Sequence, residues 1–398
     1  MRKFECRRKT ISILSALTAA LVAAGLWLLL LNPWSAGEDS ALAVRGDPAI
    51  HVVDQLSGLP VPTFSLAIDE AGRIWLPQFG IGGLKNDGTQ VNELWRFDPA
   101  SDELVRFPLP GRGGVNTTVR ITTRGSAVYV GSDRYVYRID AETGTVKQEI
   151  VLPLDSQYLP KDGRPPLIAL SDMQFAPDGS LWIAREGYSA LTKLAADGAW
   201  TTVPLPPGYG EPHSLAVDDR GHVWASVIRH APTPAGPGLE AVNAFAITVE
   251  FDPVSGRFTK HAMPAGKLAV AAAGDILAVG GGPGGLRTLD REGAARSLSD
   301  QAGTSPEDHM VVAPDGTIWY TAIGPAKIVR RAPDGTERVF SLPSGTASGE
   351  STFCVRTIPD SKCPELIRWV TQVGDIALAS NGDLWFTVTA GAVAVIIP

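Results

Sequence analysis

Eight polar residues stand where short apolar runs of this sequence begin or end. Asp172, Glu211, His213, Glu307, Asp308 and His309 precede such runs, while Gln78 and Arg185 close others. Imidazole titrates nearest to neutrality, and a carboxylate that orients it raises its basicity, so histidine beside Asp or Glu is a natural general base. His213 with a carboxylate from Asp172, Glu211 or Asp308 is therefore the candidate catalytic set. Gln78, Arg185, Glu307 and His309 are candidate ligand-binding residues. The competing reading is structural: strands converging on a solvated axis need side-chain hydrogen bonds. Asp308 and His309, being neighbours, would also point to opposite faces of a strand.

Other chemistries lack their signatures. No GxSxG elbow, P-loop or HExxH phrase occurs, and the glycine-rich run 279–285 lacks the Lys-Ser/Thr of a phosphate cradle. Cys354 and Cys363 are separated by the eight residues 355–362. Without a companion His or second thiol pair they read as a disulfide that staples a loop, not as a metal site. Whether any other metal binds is open at this level.

The elements that must position these residues follow from a repeat. One phrase, an alternating apolar run, a turn ending in glycine, then any residue and an apolar one, occurs seven times, at 65–75, 119–128, 173–182, 214–224, 268–277, 310–319 and 376–385. Its turn glycines are Gly72, Gly125, Gly179, Gly221, Gly274, Gly316 and Gly382. Every copy except the last is followed by a second strand pair with its own Asp/Gly turn, as in 94–110 and 327–343. Each unit therefore reads as a four-stranded antiparallel meander. Such a sheet has two apolar faces and cannot bury them alone, so the copies must pack around an axis. The tryptophans Trp75, Trp182, Trp224, Trp319 and Trp385 belong to the core between units.

The seventh copy ends one strand short at residue 398, and the segment 49–62 resembles the missing outermost strand. The expectation is an all-β, seven-bladed β-propeller of four-stranded antiparallel blades over 49–398, closed by its N-terminal strand. The short turns fall on one face. The long connections, 78–92, 155–166, 229–243, 300–307 and 344–368, fall on the other, where a rigid scaffold places a binding surface.

Ahead of the propeller, Arg2, Lys3, Arg7, Arg8 and Lys9 stand against Glu5, and residues 10–31 carry no charge. As a helix those residues span roughly 33 Å, enough for a hydrocarbon core of about 30 Å. The apolar stretch is longer than the region of roughly 7–15 residues usual in a cleaved signal peptide. The expectation is a basic stub and transmembrane signal anchor over 1–34 and a linker over 35–48. The N-terminus would be cytoplasmic and the propeller extracytoplasmic, in the periplasm or at the cell surface. Lys plus Arg number 35 against 42 Asp plus Glu, a net charge of −7, and no basic stripe follows the N-terminus, which argues against nucleic acid as a partner.

The repeats at 314–345 and 177–208 resemble those of streptogramin B lyase, also called virginiamycin B lyase, and the likeness extends over essentially the whole ectodomain. The resemblance implies a seven-bladed propeller. It also implies an enzyme that opens a cyclic depsipeptide by elimination across its ester linkage, with Mg²⁺ as the one cofactor suggested. Pro212-His213 matches the family's Pro-His phrase. The family glutamate fourteen residues on falls at Val227, and the corresponding positions of the other blades hold Gln78, Gly131, Arg185, Gly280, Ala322 and Val388. Glu186 is one residue out of phase and would point to the opposite side of its sheet. The expected function is a ligand- or protein-binding module acting through the long-loop face. The alternative is a metal-assisted lyase or hydrolase of a cyclic ester or related small molecule with His213 as general base, and a third reading is a scaffold in an envelope complex.

Overall fold

The computed structural model describes residues 49–56, 65–78, 92–110, 119–132, 134–159, 169–230, 243–261, 263, 266–271, 274–279, 286–290, 293–299, 309–322, 327–342, 373–388 and 392–397. Its strands form seven four-stranded antiparallel sheets. Blade one holds Ala67–Ile68, Ile74–Gln78, Glu93–Asp98 and Glu103–Pro108; blade two runs from Val119–Arg124 to Val146–Val151. Blade three holds Ala169–Phe175, Leu181–Glu186, Ala190–Leu194 and Trp200–Pro204, and blade four Glu211–Val217, Val223–His230, Asn243–Asp252 and Arg257–His261. Blades five, six and seven begin at Lys267–Val270, Met310–Val312 and Val373–Leu378. The first strand of each blade contacts the first strands of its two neighbours, from blade one round to blade seven and back. That is the seven-bladed propeller expected from the repeats.

Closure is as the truncated seventh copy requires. The fourth strand of blade seven is Ile50–Val52, pairing Ile50 with Ile396, His51 with Val395 and Val52 with Ala394. Just after it, a 3-10 turn over Asp54–Leu56 drives Leu56 to complete burial against Ile74, Leu76 and Val393. The terminal strand is thus hooked into blade one as well as paired with blade seven.

All seven turn glycines have positive φ, between 56° and 93°. That backbone conformation is open to glycine and costly for other residues, which explains the recurring residue. In blades one and four the turn is fixed further by an aspartate three residues earlier. Asp69 Oδ1 accepts from the N–H groups of Ala71 and Arg73, each at 3.0 Å. Its Oδ2 accepts from Trp75 Nε1 at 2.8 Å. Asp218 repeats the arrangement, accepting from Arg220, His222 and Trp224.

Each of the five tryptophans is buried against the next blade. Trp75 packs with Val119, Ile121, Val128 and Val130 of blade two, and Trp385 with Ile74 and Leu76 of blade one. Their core assignment therefore stands, and the cohesion of the ring lies between sheets, where apolar area leaves water. The helix expected over 10–31 lies outside the described residues, as do Cys354 and Cys363. Among the described residues no helix is long and apolar enough to cross a membrane.

Candidate functional site

The long-loop face is built from the starts of the first strands and the ends of the second. In blade four the first strand is interrupted there by a β-bulge: Pro212 pairs with Val227 and Ser214 with Ser226, leaving His213 as the extra residue. Blades three and seven have irregularities at the same place, with Ser171 and Gly374 as the extra residues. A bulge frees one side chain from the alternation of its strand and re-aims it. In blade three that side chain is a serine donating to Pro212 O at 3.1 Å, and in blade four it is an imidazole.

His213 Nδ1 lies 2.7 Å from Glu186 Oε1, across the boundary between blades three and four. The His213 side chain is partly exposed at 18%, and its Nε2 has no partner among the described residues. With Nδ1–H donating to the carboxylate, Nε2 carries a free lone pair, the arrangement a general base needs. The carboxylate is not one of those anticipated. Glu186 does lie on the side of its strand opposite Arg185, as its phase requires, and that side faces blade four.

Glu211 does not meet the imidazole. It is buried, and its Oε2 accepts from Gly187 N at 2.9 Å. The two blades are thereby laced in both directions: a blade-three carboxylate holds the blade-four histidine, and a blade-four carboxylate holds the backbone just past Glu186.

Asp172 is a structural clamp rather than a partner of His213. Its Oδ1 accepts from Met173 N at 2.8 Å and Gln174 Nε2 at 3.3 Å. Its Oδ2 accepts from Ser214 Oγ, Leu215 N and Lys267 Nζ at 3.0, 2.9 and 2.7 Å. Burial acts to raise its pKa. The Lys267 ammonium and the Leu215 N–H act the other way and hold the carboxyl below its usual range.

The candidate residues on the second strands are buried. Arg185 and Gln78 have no exposed surface with which to meet a ligand. Arg185 donates to Pro153 O at 2.7 Å and Thr192 Oγ1 at 3.1 Å, and its guanidinium lies 3.9 Å from the centre of the Tyr188 ring. Burial lowers its pKa to about 10 against the opposing pull of Tyr188. Gln78 closes a second strand buried along its whole length and donates to Pro77 O at 3.3 Å. His309 joins blades six and seven through Nδ1, 3.0 Å from Asp375 Oδ1. Glu307 and Asp308 lie outside the described residues. Asp375 was missed in the sequence, although it occupies the same repeat position as Asp172, which was the available signal.

The Mg²⁺ expectation does not fit these residues. The family's glutamate position is Val227, a fully buried apolar side chain. Among the described residues no group of three His, Cys, Asp or Glu side chains is disposed to hold a metal ion.

No protein-family model and no curated protein matches the chain. Solved structures do. A streptogramin B lyase matches with a TM-score of 0.60 at 13% identity, over 87% of this chain and 96% of that one. The fold is shared. Virginiamycin B lyase from Staphylococcus aureus in its catalytically inactive histidine-to-alanine form, solved with quinupristin, matches at 0.60 and 12%, over 87% and 98%. YCF48 bound to D1 peptide matches at 0.51 and 11%, over 88% and 94%. The resemblance read from the repeats thus holds for the architecture.

Proposed function

We propose that the protein is a membrane-anchored, extracytoplasmic propeller that captures a small ligand at its long-loop face, with the His213–Glu186 pair as the contact. The observation that carries this reading is the pair itself: a bulge frees His213 from the alternation of its strand, a carboxylate of the neighbouring blade holds the ring through Nδ1, and Nε2 has no partner among the described residues. Residues 10–31 supply the anchor, by their length and lack of charge. The propeller bound to a peptide and the propeller solved with quinupristin are examples of the same architecture meeting ligands.

The test uses quinupristin as the probe, by calorimetry on the purified full chain with its His213→Ala and Glu186→Gln variants. Saturable binding that both variants weaken, with their thermal midpoints unchanged, supports the reading. Unaltered binding in His213→Ala would remove it. Fractionation of cells expressing the chain with and without residues 1–34 tests the anchor, which predicts loss from the membrane pellet on truncation.

A second reading, a lyase or hydrolase with His213 as general base, is favoured by the same Nδ1-to-carboxylate geometry. Mass spectrometry of the recovered probe separates the two. Elimination gives an opened isomer of unchanged mass and hydrolysis adds one water, whereas a binding module returns the ring intact.

A further inference from the structure

Seven residues ahead of each turn glycine, in or just before the innermost strand, lies a polar ring. Among the described residues it comprises Ser65, Asp172, Ser214, Lys267, His309 and Asp375. The residue after each ring position, from Leu66 through Leu215 and Leu268 to Ile376, is buried between blades, so along the extended chain the ring positions face the other way, toward the axis.

The hydrogen-bonding capacity of this ring is spent unevenly. Both carboxylates are fully engaged: Asp172 accepts five bonds, and Asp375 accepts from Leu66 N, Ile376 N and His309. The cations are not. Lys267 donates one bond, to Asp172, and His309 uses Nδ1 alone among the described residues. Among the described residues, two N–H groups of Lys267 Nζ and the Nε2 of His309 are left over, on adjacent blades at the same repeat position. Arg120 of blade two adds a third cation, engaged with the carbonyls of Ser171 and Val119.

We propose that Lys267 and His309 form a site within the channel for a small oxyanion, the carboxylate or phosphate group of a low-molecular-weight ligand. The site is separate from the His213–Glu186 pair and does not rest on it. Side-chain exposures of 25% for Lys267 and 16% for His309 leave both partly open to solvent, as access of a small group requires. Among the described residues the charged groups around the site are Arg120, Lys267, Asp172 and Asp375, which sum to zero. A protonated His309 makes the cluster cationic and converts Nε2 from acceptor to donor. Oxyanion binding is therefore coupled to uptake of a proton by His309, and it weakens as that proton is lost.

The test is a titration of the purified full chain, its histidines isotopically labelled, with sodium phosphate and separately with sodium acetate, against sodium chloride at equal ionic strength. The expected result is a saturable shift of the His309 ring resonances with phosphate, acetate or both. The Kd should rise with pH, because the doubly protonated ring supplies the second donor. Saturation is lost in Lys267→Gln and kept in Lys267→Arg and His213→Ala. Which of the two salts acts identifies the oxyanion. An equal response to chloride, a pH-independent Kd, or saturation that persists in folded Lys267→Gln would overturn the proposal. Should Lys267→Gln not fold, the chloride comparison and the pH dependence decide it.

Discussion

Asp172 of blade three and Asp375 of blade seven occupy the same place in their repeats, and each accepts the backbone N–H of the first buried leucine in the following blade. Leu215 N lies 2.9 Å from Asp172 Oδ2, and Leu66 N lies 3.0 Å from Asp375 Oδ2. Ser214 does the same with its hydroxyl, accepting from Leu268 N at 3.1 Å. A side chain at this position therefore fixes the register between successive inner strands, and an aspartate does so with charge that must stay paired.

Acid should unfold the protein through these two carboxyls. Both have folded-state pKa values held below the usual range, against the opposing effect of burial: Asp172 by Lys267, and Asp375 by its bond to His309. Their contribution is present above the unfolded carboxyl value of about 3.9 and is lost as pH falls through the lower folded values. Urea midpoints measured between neutral pH and pH 2 should fall at the acid end. Asp172→Asn should flatten that fall while costing about 3 kcal/mol at neutral pH, because Lys267 is left unpaired.

Arg185→Ala should destabilise rather than merely weaken ligand capture. The substitution leaves Pro153 O without its donor, removes a buried stem and empties the space beside Tyr188. Together these cost about 3 kcal/mol in a denaturation experiment. His213→Ala, at a partly exposed position, should change stability by no more than about 0.5 kcal/mol.

Ring closure should depend on one apolar side chain outside the sheets. Leu56 is fully buried against blades one and seven, so Leu56→Ala should cost about 3 kcal/mol. The outermost strand of blade seven should then show faster amide exchange than the outer strands of blades two and three.

Two glycines with positive φ should respond differently to alanine. At Gly382 an added Cβ meets nothing within 4 Å, so only the backbone conformation is penalised, by about 1 kcal/mol. At Gly144 the same atom would lie 1.9 Å from Phe107 in blade one. Its thermal midpoint should fall by several times as much as that of Gly382→Ala.

The seven-fold repeat, the glycine turns, the inter-blade tryptophans and the closing role of Ile50–Val52 were legible in the sequence because each is a local signal repeated in register. Copies confirm one another, and a missing strand shows as a gap. His213 was legible as a candidate for the same reason: it stands at a fixed distance from Gly221. Its partner was not. Phase along blade three correctly separated Glu186 from Arg185 but gave no hint that the side opposite Arg185 looks onto the neighbouring imidazole.

The sequence by itself determined which residues could form strands, how many sheets result and how the ring must close, since alternation and turn chemistry are properties of a few consecutive residues. Only the tertiary structure decided that Glu186, not Asp172 or Glu211, orients His213, that Arg185 and Gln78 are sealed beneath the face, and that Asp375 joins three blades. Those outcomes depend on the angle between adjacent sheets and on bulges that displace single residues from their strands. Both arise when the blades pack against one another, and neither is written in any one repeat.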